Sequence, residues 1–154
     1  MNDPLGFFLT WTTYGTWLPG DQRGWVEYHH GWQFPRLARE LEAAARMTEN
    51  ACRLNEPQRT AVERQIHETC CHRGWHLHAV NCRSNHIHVV VTATETDPKK
   101  LRSDLKAWAT RCLKHEREAT RNNWWSERGS IRYLYNEESL HAAIRYVVEG
   151  QDSQ

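Results

Sequence analysis

The segment WHLHAVNCRSNHIHVVV, Trp75–Val91, decides the fold. Polar and apolar residues alternate along WHLHAV and again along HIHVVV, as they do in a strand that has one buried face. The five residues Asn81–Asn85 separate the two stretches, a connection of the length that joins antiparallel strands in a hairpin. The sequence therefore predicts two neighbouring antiparallel strands here.

The flanking sequence supplies two more strands and four helices. Aromatic and β-branched residues favour strands, whereas apolar residues at helical spacing mark the helices. The predicted strands are Phe7–Thr12 and Gly129–Tyr135, and the predicted helices are Leu37–Met47, Glu56–Arg73, Asp97–Glu118 and Glu137–Glu149, with an irregular aromatic segment up to about Pro35. This order predicts an α+β ferredoxin-like sandwich, a four- to five-stranded antiparallel sheet with helices mainly on one face.

Length and composition fit a single domain over residues 1–154. The chain has 39% hydrophobic residues, without a repeat or a Gly/Ser-rich linker. No apolar run reaches the roughly 20 residues of a membrane helix, and no basic segment before an apolar core marks a signal peptide. Five cysteines without a CxxC pair are typical of reduced cytoplasmic thiols. The net charge of +1 excludes a uniformly basic nucleic-acid-binding surface.

Four histidines of the hairpin are expected on one face of the sheet. In the simplest register His78 lies opposite His88, so His76, His78, His86 and His88 share the more open face, turned away from Ile87. Clustered imidazoles fit a divalent-metal site or a centre that handles phosphate. Two alternatives stay open at this point: a zinc site made of the four histidines, and plain surface histidines on a half-exposed sheet.

Tyr146 is the candidate nucleophile, near the end of the last predicted helix. A free tyrosine hydroxyl, with a pKa of about 10, reacts poorly, and a metal ion that polarises a phosphate would let it attack. A carboxylate or carboxamide one turn further along could complete the metal shell. The alternative is that Tyr146 is an ordinary half-buried aromatic residue.

The sequence resembles one known family. HIH at 86–88 looks like the HUH motif, in which two histidines flank a hydrophobic residue on a central strand, and Tyr146 is the single tyrosine of a C-terminal helix. FLTWTTYGTWLPG at 8–20 and GSIRYL at 129–134 are also similar to this family. The chain thus resembles, over nearly its whole length, the HUH-type single-tyrosine transposases of small bacterial insertion sequences, which include the REP-associated tyrosine transposases.

The resemblance implies an HUH domain that cleaves and rejoins single-stranded DNA with the help of a metal ion. By position, His86 and His88 would bind Mg²⁺ or Mn²⁺. Tyr146 would attack the scissile phosphate, leaving a 5′-phosphotyrosine and a free 3′-OH. The implied partner is single-stranded or hairpin DNA, handled in the cytoplasm at the nucleoid. Relatives of the insertion-sequence type are homodimers that supply the tyrosine across subunits, whereas REP-associated relatives can be monomers.

The third metal ligand departs from the family's pattern. The family uses a polar residue, usually Gln or Asn, about one turn after the tyrosine, where this chain has Gly150. Glu149 and Gln151 flank this glycine, and Gln151 is preferred because its carboxamide matches the family's chemistry. A non-catalytic or domesticated DNA-hairpin-binding module on the same fold is therefore the main alternative.

A local excess of positive charge marks the third predicted helix. Lys99–Arg117 contains seven Lys and Arg residues against two acidic ones, as expected of a surface that follows a DNA backbone, although a solvated helix face would look the same. Tryptophans could stack on unpaired bases. The predicted DNA-binding residues are Lys99, Lys100, Arg102, Lys106, Arg111, Lys114, Trp17 and Arg132, and further stacking candidates are Trp25, Trp32, Trp124 and Trp125.

Overall fold

The structure, a computed structural model, describes residues 3–116 and 120–149 and confirms the predicted α+β class. The strands are β1 Gly6–Thr12, β2 Trp25–Glu27, β3 Gly31–Gln33, β4 His76–Cys82, β5 His86–Thr92 and β6 Ser130–Leu134, and the helices are α1 Leu37–Ala45, α2 Glu56–Arg73, α3 Pro98–Glu116 and α4 Glu137–Glu149. The segment predicted to be irregular contains the small β2–β3 hairpin. None of the described helices is long and apolar enough to cross a lipid bilayer.

The main sheet has four antiparallel strands in the order β4-β5-β1-β6. β1 lies between β5 and β6, so its residues have partners on both sides. Thr10 lies opposite His88 on one side and opposite Ser130 on the other, and Thr12 lies opposite His86. The histidines of β5 therefore have a row of short polar side chains beside them.

The register of the β4–β5 hairpin differs from the predicted one. Asn81, not His78, lies opposite His88, because β4 extends to Cys82. The backbone N–H of Arg83 donates to the carbonyl of His86 at 2.8 Å, which makes the connection tighter than the predicted five-residue link. A bulge in β4 then changes the pairing further along. The prediction of His78 beside His88 was wrong because of the tighter turn, since the bulge between Leu77 and Ala79 lies beyond this pair.

The two faces of the sheet carry separate apolar clusters. On one face, residues of β1 and β5 such as Leu9 and Val89 pack with residues of α2 and α3. On the other face, Val90 packs with Ala143 and Val147 of α4, and Phe8 lies against them. Since side chains alternate along a strand, the histidines of β5 point to the α4 side. This face is covered by a helix rather than open, which corrects the predicted open histidine face.

The start of α4 is fixed by a side-chain cap. The Asn136 side-chain oxygen accepts from the backbone N–H of Ser139 at 2.7 Å. Glu137 and Glu138 occupy the first turn, where negative charge is favourable beside the unpaired N–H groups. The cap and the charges set where the helix begins, and thus where Tyr146 lies two and a half turns later.

Candidate active site

His86 and His88 lie next to each other on β5, on the face that α4 covers. Their ring centroids are 4.8 Å apart and the ring planes meet at 77°. His88 is buried, with 8% of its surface exposed, and His86 is half-buried. The pair therefore combines one protected imidazole with one that solvent reaches.

The imidazole of His88 is held by Thr10 on the neighbouring strand. Thr10 Oγ1 and His88 Nδ1 are 2.9 Å apart. Burial lowers the pKa of His88 to about 4, with the positive charges of His86 and Arg83 as further causes. A neutral ring whose Nδ1–H donates to a hydroxyl has its Nε2 lone pair free for a cation, so His88 has the protonation state that a metal ligand needs. Asn85 Oδ1 lies 2.7 Å from Nδ1 of His86 in the same role.

Tyr146 lies beside His88 in the same chain. The two ring centroids are 5.7 Å apart with the planes at 86°, and the ring of Phe8 is 5.9 Å from Tyr146. About half of Tyr146, 49%, is exposed. One side of the ring is thus supported by β1 and β5, while the rest of the side chain faces solvent, where a substrate can approach.

Asn81 joins this part of α4 to the sheet. Its side-chain amide donates to the carbonyl oxygen of Val147 at 3.1 Å, one residue after Tyr146. Asn81 is also the cross-strand partner of His88. A single side chain therefore ties the helix that carries the tyrosine to the strand beside the histidine.

The described residues do not show a third ligand for the predicted metal ion. No three His, Cys, Asp or Glu side chains converge on a metal-sized site within residues 3–116 and 120–149. Glu149, exposed at the end of α4, is thus not brought together with His86 and His88. Gln151 lies outside the described residues, so its role stays a prediction.

The four histidines of the hairpin form two pairs rather than one cluster. His76 and His78 contact each other, with ring centroids 4.3 Å apart, at the start of β4, where His76 lies opposite Thr92. His78 Nε2 is 2.7 Å from Thr92 Oγ1, and burial is the main cause that lowers its pKa. The zinc hypothesis needs all four rings around one ion, and this arrangement does not support it.

Ser126, which nothing in the sequence marks as a site residue, lies beside Thr12 at the end of β1. Its hydroxyl is 2.5 Å from Thr12 Oγ1 and donates to the Thr12 carbonyl at 3.1 Å. Thr12 is the β1 partner of His86. The segment Ser126–Gly129, called the rim loop below, therefore lies next to the β1 residue that pairs with His86.

Two of the predicted DNA-binding cations hold the rim loop. The Lys106 ammonium group donates to the carbonyls of Ser126 and Arg128, both at 2.9 Å. Arg102, which is buried, donates to the carbonyl of Gly129 at 3.1 Å. Burial, with Arg102 as the second cause, lowers the pKa of Lys106 to about 8. These two side chains turn toward the protein, which corrects the expectation that they belong to an exposed basic stripe.

The other predicted cations remain at the surface. Lys99, Lys100 and Arg111 on α3 are exposed, and Lys114 is half-buried. The Arg111 guanidinium lies 4.6 Å above the ring of Trp108. Arg132 is exposed on β6, opposite Phe8, and so lies on the face that bears the histidines.

The tryptophans have mostly structural contacts. Trp25 and Trp124 are buried, which leaves no ring face for a base. Trp17 donates from Nε1 to the carbonyl of Gly24 at 2.7 Å, and the Arg23 guanidinium covers its ring at 4.1 Å. The indole of Trp125 donates to Thr110 Oγ1 at 2.8 Å. Trp32 is the stacking candidate with the most exposed ring, at 58%.

Comparisons with known proteins fit this geometry. A sequence profile of the family described as "Transposase IS200 like" matches residues 45–148, more than half of the chain. Among solved structures, the chain is similar to a protein from Deinococcus radiodurans R1 with a provisional assignment as a transposase, at a TM-score of 0.55 and 13% identity, covering 98% of this chain and 93% of that one. At this identity the likeness shows the fold. No curated protein matches the chain.

Proposed function

The chain belongs to the IS200-like transposase family, and from this premise we propose that it cleaves and rejoins single-stranded DNA through a covalent link between Tyr146 and a 5′ phosphate. The observation that carries the proposal is the position of the half-exposed Tyr146 ring beside the buried, neutral His88 within one chain. A nucleophile next to a candidate phosphate-binding centre is the arrangement that covalent phosphoryl transfer needs.

The proposed cleavage step exchanges one phosphate ester for another. The Tyr146 oxygen attacks phosphorus, the bond between phosphorus and the 3′ oxygen breaks, and the products are a 5′-phosphotyrosine and a 3′-OH. The phenolic proton passes to solvent, which reaches the exposed part of the ring, and the leaving oxygen takes up a proton. Rejoining is the reverse: a 3′-OH attacks the phosphotyrosine and Tyr146 regains its proton. Each step replaces one phosphodiester bond with another, and the energy of the cleaved bond is kept in the phosphotyrosine link. Neither step therefore requires a nucleotide cofactor.

The donor set fits a divalent cation. His86 and His88 would hold Mg²⁺ or Mn²⁺ through their Nε2 atoms, since Asn85 and Thr10 contact the Nδ1 atoms, with Gln151 as the proposed third ligand. When bound, such a cation polarises the phosphate and stabilises the charge that develops on its oxygens. The contribution of Thr10 is to fix the ring orientation of His88 before the cation arrives.

Hairpin or other single-stranded DNA is the proposed partner. The exposed cations Lys99, Lys100 and Arg111 on α3 would contact phosphates, and Arg132 would do so next to the site. His88 and Tyr146 belong to the same chain, so a homodimer is not needed to supply the tyrosine. With DNA as its substrate, the enzyme would work at the nucleoid.

Covalent capture of DNA tests the proposal. The protein is incubated with a hairpin-containing single-stranded oligonucleotide and Mn²⁺, and the mixture is separated on a denaturing gel. A protein–DNA adduct is expected for the wild type, and Tyr146→Phe should reduce its yield by at least about a thousandfold. Tyr133→Phe, an exposed tyrosine of β6, is the matched control. Metal-independent binding without any adduct would instead identify a DNA-hairpin-binding module.

A further inference from the structure

The β2–β3 hairpin and the residue after it expose aromatic rings. This aromatic arm, Trp25–Phe34, pairs Val26 with Trp32 and buries the ring of Trp25 on its inner side. On the outside, Tyr28, Trp32 and Phe34 are exposed by 55%, 58% and 83%. Soluble proteins seldom expose several large rings together unless the surface binds something.

The arm is held in place rather than loosely attached. Trp17 donates to the carbonyl of Gly24 just before β2. Gly24 has a φ of +84°, and a Cβ there would lie 2.1 Å from the ring of Trp32, so only glycine lets this ring lie flat on the backbone. The exposed face of Trp32 is therefore fixed before any ligand arrives, which lowers the entropy cost of binding.

The arm reaches the rim loop of the active site. The Arg128 guanidinium lies 3.7 Å from the centroid of the Tyr28 ring. Ser126, two residues earlier in the rim loop, is hydrogen-bonded to Thr12, the cross-strand partner of His86. The exposed rings are thus connected, through Arg128 and the rim loop, to the β1 residue that pairs with His86.

We propose that the outer face of the aromatic arm binds the single-stranded DNA that flanks the scissile phosphate. Bases stack on Trp32 and Phe34, and Arg128 contacts the backbone between the arm and the site. This rests on the proposed function for the identity of the ligand. Flat rings next to a guanidinium match the stacked bases and phosphates of a single strand. The ion pair of Arg128 with Glu127 is long, at 3.9 Å, and both side chains are exposed, so the guanidinium is held mainly by the ring of Tyr28 and stays accessible to a phosphate.

Fluorescence anisotropy with two DNA probes tests the arm. Both probes are a labelled hairpin with single-stranded flanks, and in the second the flanks are abasic, so that the charge is kept and the bases are removed. The protein is the full chain with Tyr146→Phe, so that binding is measured without covalent capture. Phe34→Ser and Trp32→Ala should each weaken binding of the first probe roughly five- to a hundredfold and leave the second unchanged.

Leu41→Ser, which alters an exposed aliphatic residue of α1, is the matched control and should change neither probe. Equal losses on both probes, or no loss on the first, would overturn the proposal. So would a dimer, seen by light scattering, that Phe34→Ser converts to monomer while DNA binding is unchanged. Wild-type adduct formation is measured in parallel: its absence, with base-dependent binding intact, counts against the phosphotyrosine chemistry and leaves the arm's role standing.

Discussion

The ring of Tyr146 stands nearly perpendicular to the ring of His88, at 5.7 Å between centroids, within a single chain. Residues 58 positions apart in the sequence meet because α4 runs back across the sheet after β6. The family resemblance allows the tyrosine to come from the same chain or from a partner. In this structure the same chain supplies both groups.

Removing the tie between Asn81 and α4 should slow cleavage. Asn81→Ala loses the hydrogen bond to Val147 and loosens the turn that holds Tyr146. We expect a loss of about 1 kcal/mol in stability and roughly a tenfold slower adduct formation, with DNA affinity unchanged. Single-turnover gel assays and anisotropy measure the two effects. Asn50→Ala, at an exposed position, should alter neither, and a loss of DNA affinity in Asn81→Ala would contradict the assignment.

Thr10 should control metal affinity without touching the metal. Thr10→Val keeps the shape of the side chain but removes the oxygen that holds His88 Nδ1. Partners of this kind are worth about 10- to 100-fold in metal affinity. Titration of adduct formation with Mn²⁺ should show the half-maximal concentration rising by that factor. Thr94→Val, an exposed threonine after β5, serves as the control and should titrate like the wild type.

The lysines of α3 should fall into two groups, those that bind DNA and one that stabilises the fold. Lys99→Met and Lys100→Met remove exposed charges, so each should weaken DNA binding and reduce the slope of log affinity against log salt by about one, with stability unchanged. Lys106→Met removes the donor to the Ser126 and Arg128 carbonyls and should cost about 1–3 kcal/mol of unfolding free energy. Urea unfolding and salt-dependent anisotropy distinguish the groups. Equal effects of all three would refute the division.

Lys106 also predicts a pH dependence of stability. Its pKa falls from 10.5 to about 8 on folding, mainly because of burial. Between these values the unfolded chain binds a proton that the folded chain has released, so raising the pH through this range favours folding. From pH 8 to 10, the free energy of unfolding of the wild type should therefore rise relative to that of Lys106→Met. Urea unfolding in the presence of a thiol reductant measures both values. With Thr94→Val as the comparison, which changes no titratable group, the difference from the wild type should stay flat.

Gly129 should tolerate no side chain. It has a φ of +138°, and a Cβ would lie 2.3 Å from the carbonyl oxygen of Thr10. Gly129→Ala must push the rim loop away from β1 and should cost at least about 3 kcal/mol. Gly31→Ala, at a φ of +74° with open space around it, is the control and should cost only about 1 kcal/mol. Thermal unfolding compares them, and similar losses would show that space at Gly129 is not the limiting factor.

The pattern of polar and apolar residues predicted those strands and helices that are long enough for the pattern to repeat. Alternation predicted β4 and β5, and helical spacing predicted α2, whose capping box at Asn55 and Gln58 confirms the start near Glu56. The register of the hairpin was not predictable, because a bulge and a tighter turn change it without changing the alternation. The β2 and β3 strands, three residues each, are too short to show a period.

Site residues could be predicted from the sequence where their side-chain chemistry is distinctive. They could not be predicted where their role depends on how the chain packs. His86, His88 and Tyr146 stand out by residue type, and the structure brings His88 and Tyr146 together. Counting charges along α3 could not separate Lys106 from Lys99, because the helix turns them to different sides. Ser126 has no sequence signal, since its place beside Thr12 depends on a contact between residues 114 positions apart.

A sheet one layer thick isolates the α4 cluster from the larger cluster under α2 and α3. The two clusters are separate, so the free-energy effects of distant substitutions on opposite faces should add. Leu140 and Ile144, which pack against the α4 cluster, could then be varied to shift the position of Tyr146 without disturbing the packing of α2 and α3. In a transposase of this architecture, selection or protein engineering can change the residues on one face of the sheet independently of those on the other.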